Sequence, residues 1–155
     1  MVYMMPAAGR GTTYRYIGAE PVATPDGWET LGDLGTLDAD GYLYLVDRQS
    51  DMVVVGGANV YPAEVEAALD AHPRVRSSAV VGLPDEDLGQ RLHAIYEADA
   101  EIDPAELREH LAKHLAGHKI PKSFERVAHP LRDDAGKVRR SALRDARVGR
   151  ARPDA

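Results

Sequence analysis

The 155-residue chain contains no cysteine, one phenylalanine and one tryptophan. Without cysteine there is no disulfide framework, thiol nucleophile, iron–sulfur cluster or thiolate zinc site. No apolar run approaches the roughly 20 residues that a membrane-spanning helix needs. The opening MVYMMPAAGR has neither a basic leader nor a sustained apolar stretch, so no secretory signal or anchor is expected and the cytoplasm is the expected location. No aromatic falls among the basic residues Arg139, Arg140, Arg144, Arg147, Arg150 and Arg152. A base-stacking platform is therefore missing there, and nucleic acid is not an expected partner.

What is present is the balance of an ordinary folded protein, 44% hydrophobic and 28% charged, long enough for one domain or one domain plus a remnant. The net charge of −6 hides an asymmetry. Residues 1–117 hold 8 Lys and Arg against 20 Asp and Glu, a balance of −12, whereas residues 118–155 hold 11 against 5, a balance of +6. A basic tail can meet a nucleic acid, a nucleotide phosphate or the acidic remainder of its own chain, and its sign does not choose among them.

Along the chain, TYRYI (13–17) reads as a short edge strand and TPDG (24–27) as a turn. GWETLGDLGTLDADGYLYLVD alternates apolar and polar residues about Ala39, Asp40 and Gly41, which predicts two strands joined by a tight turn. The polar DRQSD then separates two units, after which MVVV is a strand that GGAN ends before a helix. Pro62 suits the first turn of that helix and Val65, Ala68 and Leu69 make its apolar face. SSAVVGL and RLHAIYEA predict strands separated by a PDEDLGQ loop. Asp103, Pro104 and Glu106 announce a second helix by cap, first position and capping-box spacing; Leu107, Leu111 and Leu115 line it, and it should end near Gly117. SFERV is a further strand, HPLRDDAG a loop, and KVRRSALRDARV a short basic helix with Val138, Ala142 and Leu143 available for burial; fraying is expected after Gly149. Irregular interspersion of strands and helices points to an α+β domain.

Several groups invite a chemical reading. His110, His114 and His118 recur every fourth residue, but the Glu that a metalloprotease helix needs is replaced by Leu111, so a solvated histidine face and no metal are expected. Gly136-Lys137 and Gly9-Arg10-Gly11-Thr12-Thr13 both fail the phosphate-loop pattern. A lysine on a glycine-bearing loop ahead of a basic helix is still a point charge suited to a phosphate met transiently, or an ordinary surface lysine. Gly56-Gly57 permits positive φ and close approach of another molecule, or is a plain strand-to-helix turn. Asp33 and Arg48 can take ribose hydroxyls and phosphate, or form a surface pair.

Taken in order, GWETLGDLGTLDADGYLYLVDRQSDMVVVGGANVYPAEVEAALDAHPRV, AVVGLPDEDLGQRLHA, HKIPKSFERV and AGKVRRSAL resemble the adenylate-forming enzymes, and the acyl-CoA synthetases most closely. The resemblance implies a small, mobile C-terminal domain with a roughly three-stranded central sheet, flanking helices and a two-stranded hairpin. Before it stands a β-rich remnant of the large adenylation domain. The boundaries expected are 1–47 for the remnant, 48–51 for a hinge, 52–148 for the C-terminal domain and 149–155 for a frayed tail. By the same resemblance Lys137 contacts the carboxylate and α-phosphate during adenylation. Asp33 binds the ribose hydroxyls of ATP, Arg48 contacts the nucleotide beside the hinge, and Gly56 and Gly57 border the pantetheine channel. Ser50 stands at the hinge position, where Asp or Lys is usual, and Asp51 follows it. Five residues rather than four separate Pro130 from Gly136. The expected partners are a large N-terminal domain, in cis or in trans, a carboxylic acid and coenzyme A. ATP or AMP and Mg2+ serve the complete enzyme, and the chain alone is expected to be inactive. The alternative is a stand-alone binding or regulatory module that pairs with a separate large domain.

Overall fold

The computed structural model describes residues 1–4 and 22–148, so the strand expected over 13–17, the glycine stretch 9–13 and the tail with Arg150 and Arg152 lie outside the described residues. The chain divides into two units, Met1–Ser50 and Asp51–Ala155.

In the first unit β1 (Val22–Ala23) pairs antiparallel with β2 (Glu29–Thr30), and β3 (Asp33–Leu37) with β4 (Leu43–Arg48). The β3–β4 turn sits where the sequence predicts it, because Asp38 organises it. Its Oδ1 accepts from the amides of Asp40 and Tyr42 at 3.0 and 2.9 Å, and Gly41 supplies φ 87°. A bulge between Leu34 and Gly35 shifts the register, and a Cβ on Gly35 would lie 2.8 Å from the Tyr44 carbonyl oxygen. Since side chains alternate along a strand, Leu43 and Leu45 occupy one face and Tyr44 and Val46 the other. All four are exposed, Leu45 at 65%.

The second unit begins with an antiparallel hairpin, β5 (Val53–Val55) and β6 (Ala58–Val60), followed by α1 (Pro62–Asp70). Here the sequence reading is corrected: Gly56-Gly57 does not lead into a helix but turns the chain back into β6. With φ 54° and 85° the two glycines supply the left-handed backbone that a two-residue hairpin requires. Next come β7 (Ser77–Asp85) and β8 (Gly89–Glu97), antiparallel, then α2 (Pro104–Ala112). β9 (Ser123–Val127) returns parallel to β8, and α3 (Arg140–Val148) closes the unit. The order β7-β8-β9 gives a three-stranded sheet, so the α+β reading stands.

Helix α2 starts as expected, with Asp103 accepting from the Ala105 amide at 2.8 Å, but it stops at Ala112, before Gly117. The reciprocal half of the capping box is not made, because Glu106 turns to Arg74 and His72 instead. Strand alternation sorts the core into two clusters. Val80, Leu92, Ala94 and Tyr96 pack with β5, β6, α1 and α2. Ala79, Val81, Leu83 and Ile95 pack with Val127 and Leu131, and against Val138, Leu143 and Val148 of the α3 side. Ala142, expected to be buried, is exposed. Tyr96 is fully buried without a penalty for its hydroxyl, which accepts from the Ile102 amide at 3.1 Å and reaches Glu101 at 3.1 Å.

Candidate functional site

Lys137 stands at the end of a loop built by Asp133. The Asp133 carboxylate accepts from the amides of Ala135 and Lys137 at 3.0 and 2.9 Å, and Gly136 takes φ 73° between them. Arg132 donates to the Gly136 carbonyl at 3.2 Å and to Ser77 Oγ at 3.2 Å, which ties the loop to β7. The loop's backbone is thus fixed, while the Lys137 side chain is exposed. It lines an open groove of about 330 Å³ together with Pro130, Asp133, Arg139 and Leu143. Among the described residues nothing pairs with Lys137 Nζ or with the Arg139 guanidinium. The sequence reading names Lys137 as a candidate; it does not reveal that Arg132 and Arg139 line the same groove.

The other basic residues of α3 are engaged. Arg140 grips Glu66 with Nε to Oε1 at 3.0 Å and Nη2 to Oε2 at 2.7 Å, and its Nη1 donates to Asp51 at 2.8 Å. Arg147 grips Glu125 at 2.6 and 2.8 Å. For these two arginines the partner of the basic tail is the acidic part of the same chain. Glu66 is only 4% exposed, a buried carboxylate that the apolar pattern of α1 did not reveal. Glu125 also meets His93 Nε2 at 3.2 Å, whose Nδ1 lies 2.8 Å from Ser123 Oγ. Burial pushes the His93 imidazole toward its neutral form, against the pull of Glu125. Burial alone would raise the Glu125 carboxyl, but hydrogen bonds from Arg147 and His93 outweigh it and hold it below the usual range.

Gly56 and Gly57 form the β5–β6 turn, and the Gly56 amide donates to the Leu88 carbonyl at 3.0 Å. That hairpin packs into the cluster on the α1–α2 face of the sheet, whereas Leu131 and Val138, which flank the lysine loop, pack into the cluster on the α3 face. Lys137 and the glycine turn therefore belong to opposite faces of the same sheet. In the first unit, the β3–β4 register sets Asp33 opposite Arg48, and Arg48 Nε lies 3.3 Å from Asp33 Oδ1. Ser50 lies in the short helical turn Gln49–Asp51, at the division between the two units.

The histidine trio does not converge. His110 is half-buried against α1, its Nε2 lying 2.9 Å from the Ala68 carbonyl oxygen, while exposed His118 sits on the separate turn Gly117–Lys119. The solvated face expected of all three holds for His114 and His118 only. No group of three His, Asp or Glu among the described residues could hold a metal ion. No helix among them is long and apolar enough to cross a membrane.

A profile of the AMP-binding enzyme C-terminal domain matches residues 64–137, its last matched residue being Lys137. The chain carries an AMP-binding enzyme C-terminal domain. The chain is 44% identical over 118 residues to a 2-succinylbenzoate–CoA ligase of Bacillus licheniformis, an alignment covering 76% of this chain and 25% of the ligase. It is 41% identical over 124 residues to a long-chain-fatty-acid–CoA ligase of Yersinia pestis, covering 79% of this chain and 22% of that one. The ATP-bound crystal structure of MatB from Rhodopseudomonas palustris superposes with a TM-score of 0.76 at 37% identity, over 84% of this chain and 26% of MatB. The chain thus spans about a quarter of the length of the relatives it matches.

Proposed function

We propose that this chain is the C-terminal part of an ATP-dependent acyl-CoA ligase that supplies Lys137 to acyl-adenylate formation and the Gly56-Gly57 turn to thioester formation. The observation that carries the reading is the pairing state of the basic residues. Arg140 and Arg147 are neutralised within the chain, while Lys137 is left unpaired among the described residues on a cationic groove, at the end of the matched family segment.

The chemistry needs such a residue. In the first step a carboxylate oxygen attacks the α-phosphorus of ATP and pyrophosphate leaves. Negative oxygens gather at one point, and a cation placed there stabilises the transition state. In the second step the thiol of coenzyme A attacks the acyl carbonyl and AMP leaves, which requires an open channel rather than a cation. Because Lys137 and the glycine turn lie on opposite faces of one sheet, presenting each in turn means rotating the domain, with Ser50 and Asp51 as the hinge. Asp33 and Arg48 take the ribose hydroxyls and the nucleotide. In the complete ligase Mg2+ is held by the large domain, as the family resemblance implies. The large N-terminal domain, in cis or in trans, also provides the acyl site, so the isolated chain is inactive.

The test is pyrophosphate release by a ligase in which this chain is combined with a large adenylation domain, with ATP, Mg2+ and a panel of fatty and aryl acids. Lys137→Ala is expected to lower adenylation at least 100-fold, the scale on which loss of an electrostatic stabiliser acts. It should leave thioester formation from preformed acyl-adenylate nearly unchanged. Normal adenylation by the variant would remove the proposed role of Lys137.

A further inference from the structure

We propose that Arg140 is a positioning residue that pins Asp51 to the body of the second unit, so that the chain pivots at Ser50 and Asp51 moves together with Lys137. The inference rests on the lysine role and the hinge segment proposed above, and it narrows that hinge to Ser50 by taking Asp51 into the moving unit. Arg140 is fixed first by the core. Two of its guanidinium nitrogens hold the two oxygens of Glu66, which is itself buried and accepts the Val80 amide at 2.8 Å. One planar group is thereby locked to α1 and, through Glu66, to β7. A guanidinium gripped in this bidentate way has little freedom to swing. Its third nitrogen, Nη1, points to Asp51 and donates at 2.8 Å, with both side chains roughly three-quarters buried at 22% and 27% exposure.

Asp51 is the first residue of its unit, and Arg140 lies three residues after Lys137. The contact spans 89 positions of sequence and joins the two ends of the segment that has to move as one piece. With Asp51 held, a change of backbone dihedrals at Ser50 carries Arg140 and the Lys137 loop with it. With Asp51 free, the same rotation would be absorbed in the backbone at 51 and 52, and the lysine would not follow.

Backbone 15N relaxation on the isolated chain reads this directly. In the wild type the Asp51 and Met52 amides are expected to have order parameters of about 0.85, typical of rigid backbone. In Asp51→Asn the value at position 51 should drop below about 0.6, while β7 and β8 stay unchanged and the thermal midpoint moves by only a few degrees, because the Arg140–Glu66 grip is intact. Asp51→Glu should restore the rigid value, which a general loss of packing would not do. An unchanged profile in Asp51→Asn, or an Asp51→Glu as loose as Asp51→Asn, overturns the proposal. If Asp51→Asn does not fold, Arg140→Lys gives the same reading: a single ammonium cannot hold Glu66 at both oxygens and reach Asp51, so position 51 should loosen, and rigidity there overturns the proposal. The two proposals fail separately. A rigid position 51 in Asp51→Asn with Lys137→Ala inactive in adenylation removes the pin alone. A loosened position 51 with Lys137→Ala fully active removes the catalytic meaning and leaves the pin.

Discussion

The imidazole of His93 sits under α3 with Ser123, Glu125 and Arg147 around it, and burial disfavours its protonated form. Its proton affinity is lower in the folded chain than in the unfolded one. As pH falls through about 6.5 the unfolded state binds a proton that the folded state refuses, so stability declines over that window. Glu125, held below its usual range, adds a second loss as pH falls further, below about 4.5. We expect His93→Gln to show a shallower fall in urea-measured stability between pH 7 and 5 than the wild type; an equal slope would mean that His93 titrates freely. Neither His93 nor Glu66 was legible in the sequence. Each is a polar letter on an amphipathic element, and only the return of α3 across the sheet, decided by long-range packing, makes its position internal. Lys137 is a candidate through the family resemblance alone, because a lysine between Gly136 and a basic run reads equally, by its own letters, as an ordinary surface residue.

At the scale of elements, local chemistry was read well and pairing less so. Asp103 and Pro104 start α2 as their cap and first-position preferences dictate. Asp103→Ala is accordingly expected to cost about 1 kcal/mol in denaturant unfolding. The two-stranded hairpin that the resemblance implies is present as β5–β6, but the residue pattern alone does not show it, because a three-residue strand carries almost no periodic signal and Pro62 directly after it announces a helix. Its turn is nevertheless demanding. Gly57 has φ 85°, where a side chain costs about 1–2 kcal/mol, and at Gly56 a Cβ would also press on Leu88 at 3.1 Å. Gly57→Ala should therefore destabilise the second unit by about that amount, and Gly57→Asn by less, since asparagine tolerates the left-handed region. Equal losses for the two would argue against the backbone as the cause.

At the scale of the molecule the two units differ in how they treat their apolar side chains. The second gathers them into two clusters on either side of a sheet. The first leaves Leu37, Tyr42, Leu43, Tyr44, Leu45 and Val46 exposed on a two-stranded ribbon, an arrangement that is marginal by itself in water. We therefore expect residues 51–148 expressed alone to unfold cooperatively and stay monomeric. The full chain should bind a hydrophobic dye and self-associate, and Leu43→Lys with Leu45→Lys should reduce both. Sedimentation at several concentrations decides it; a strictly monomeric full chain would mean the ribbon is adequately covered. Whether a hydrophobic strand finds its cover cannot be read from its own letters, which is why the sequence showed the β3–β4 hairpin but not its exposure.

The Glu66–Arg140 grip also bears on how the chain is made. Glu66 leaves the ribosome 74 residues ahead of the guanidinium that neutralises it, a lag of roughly 4–15 s at ordinary translation rates of about 5–20 residues per second. A carboxylate cannot be sealed in a core without its counter-ion. The α1 segment must therefore keep that side chain in water until α3 has emerged, and the second unit closes only when its synthesis is nearly complete.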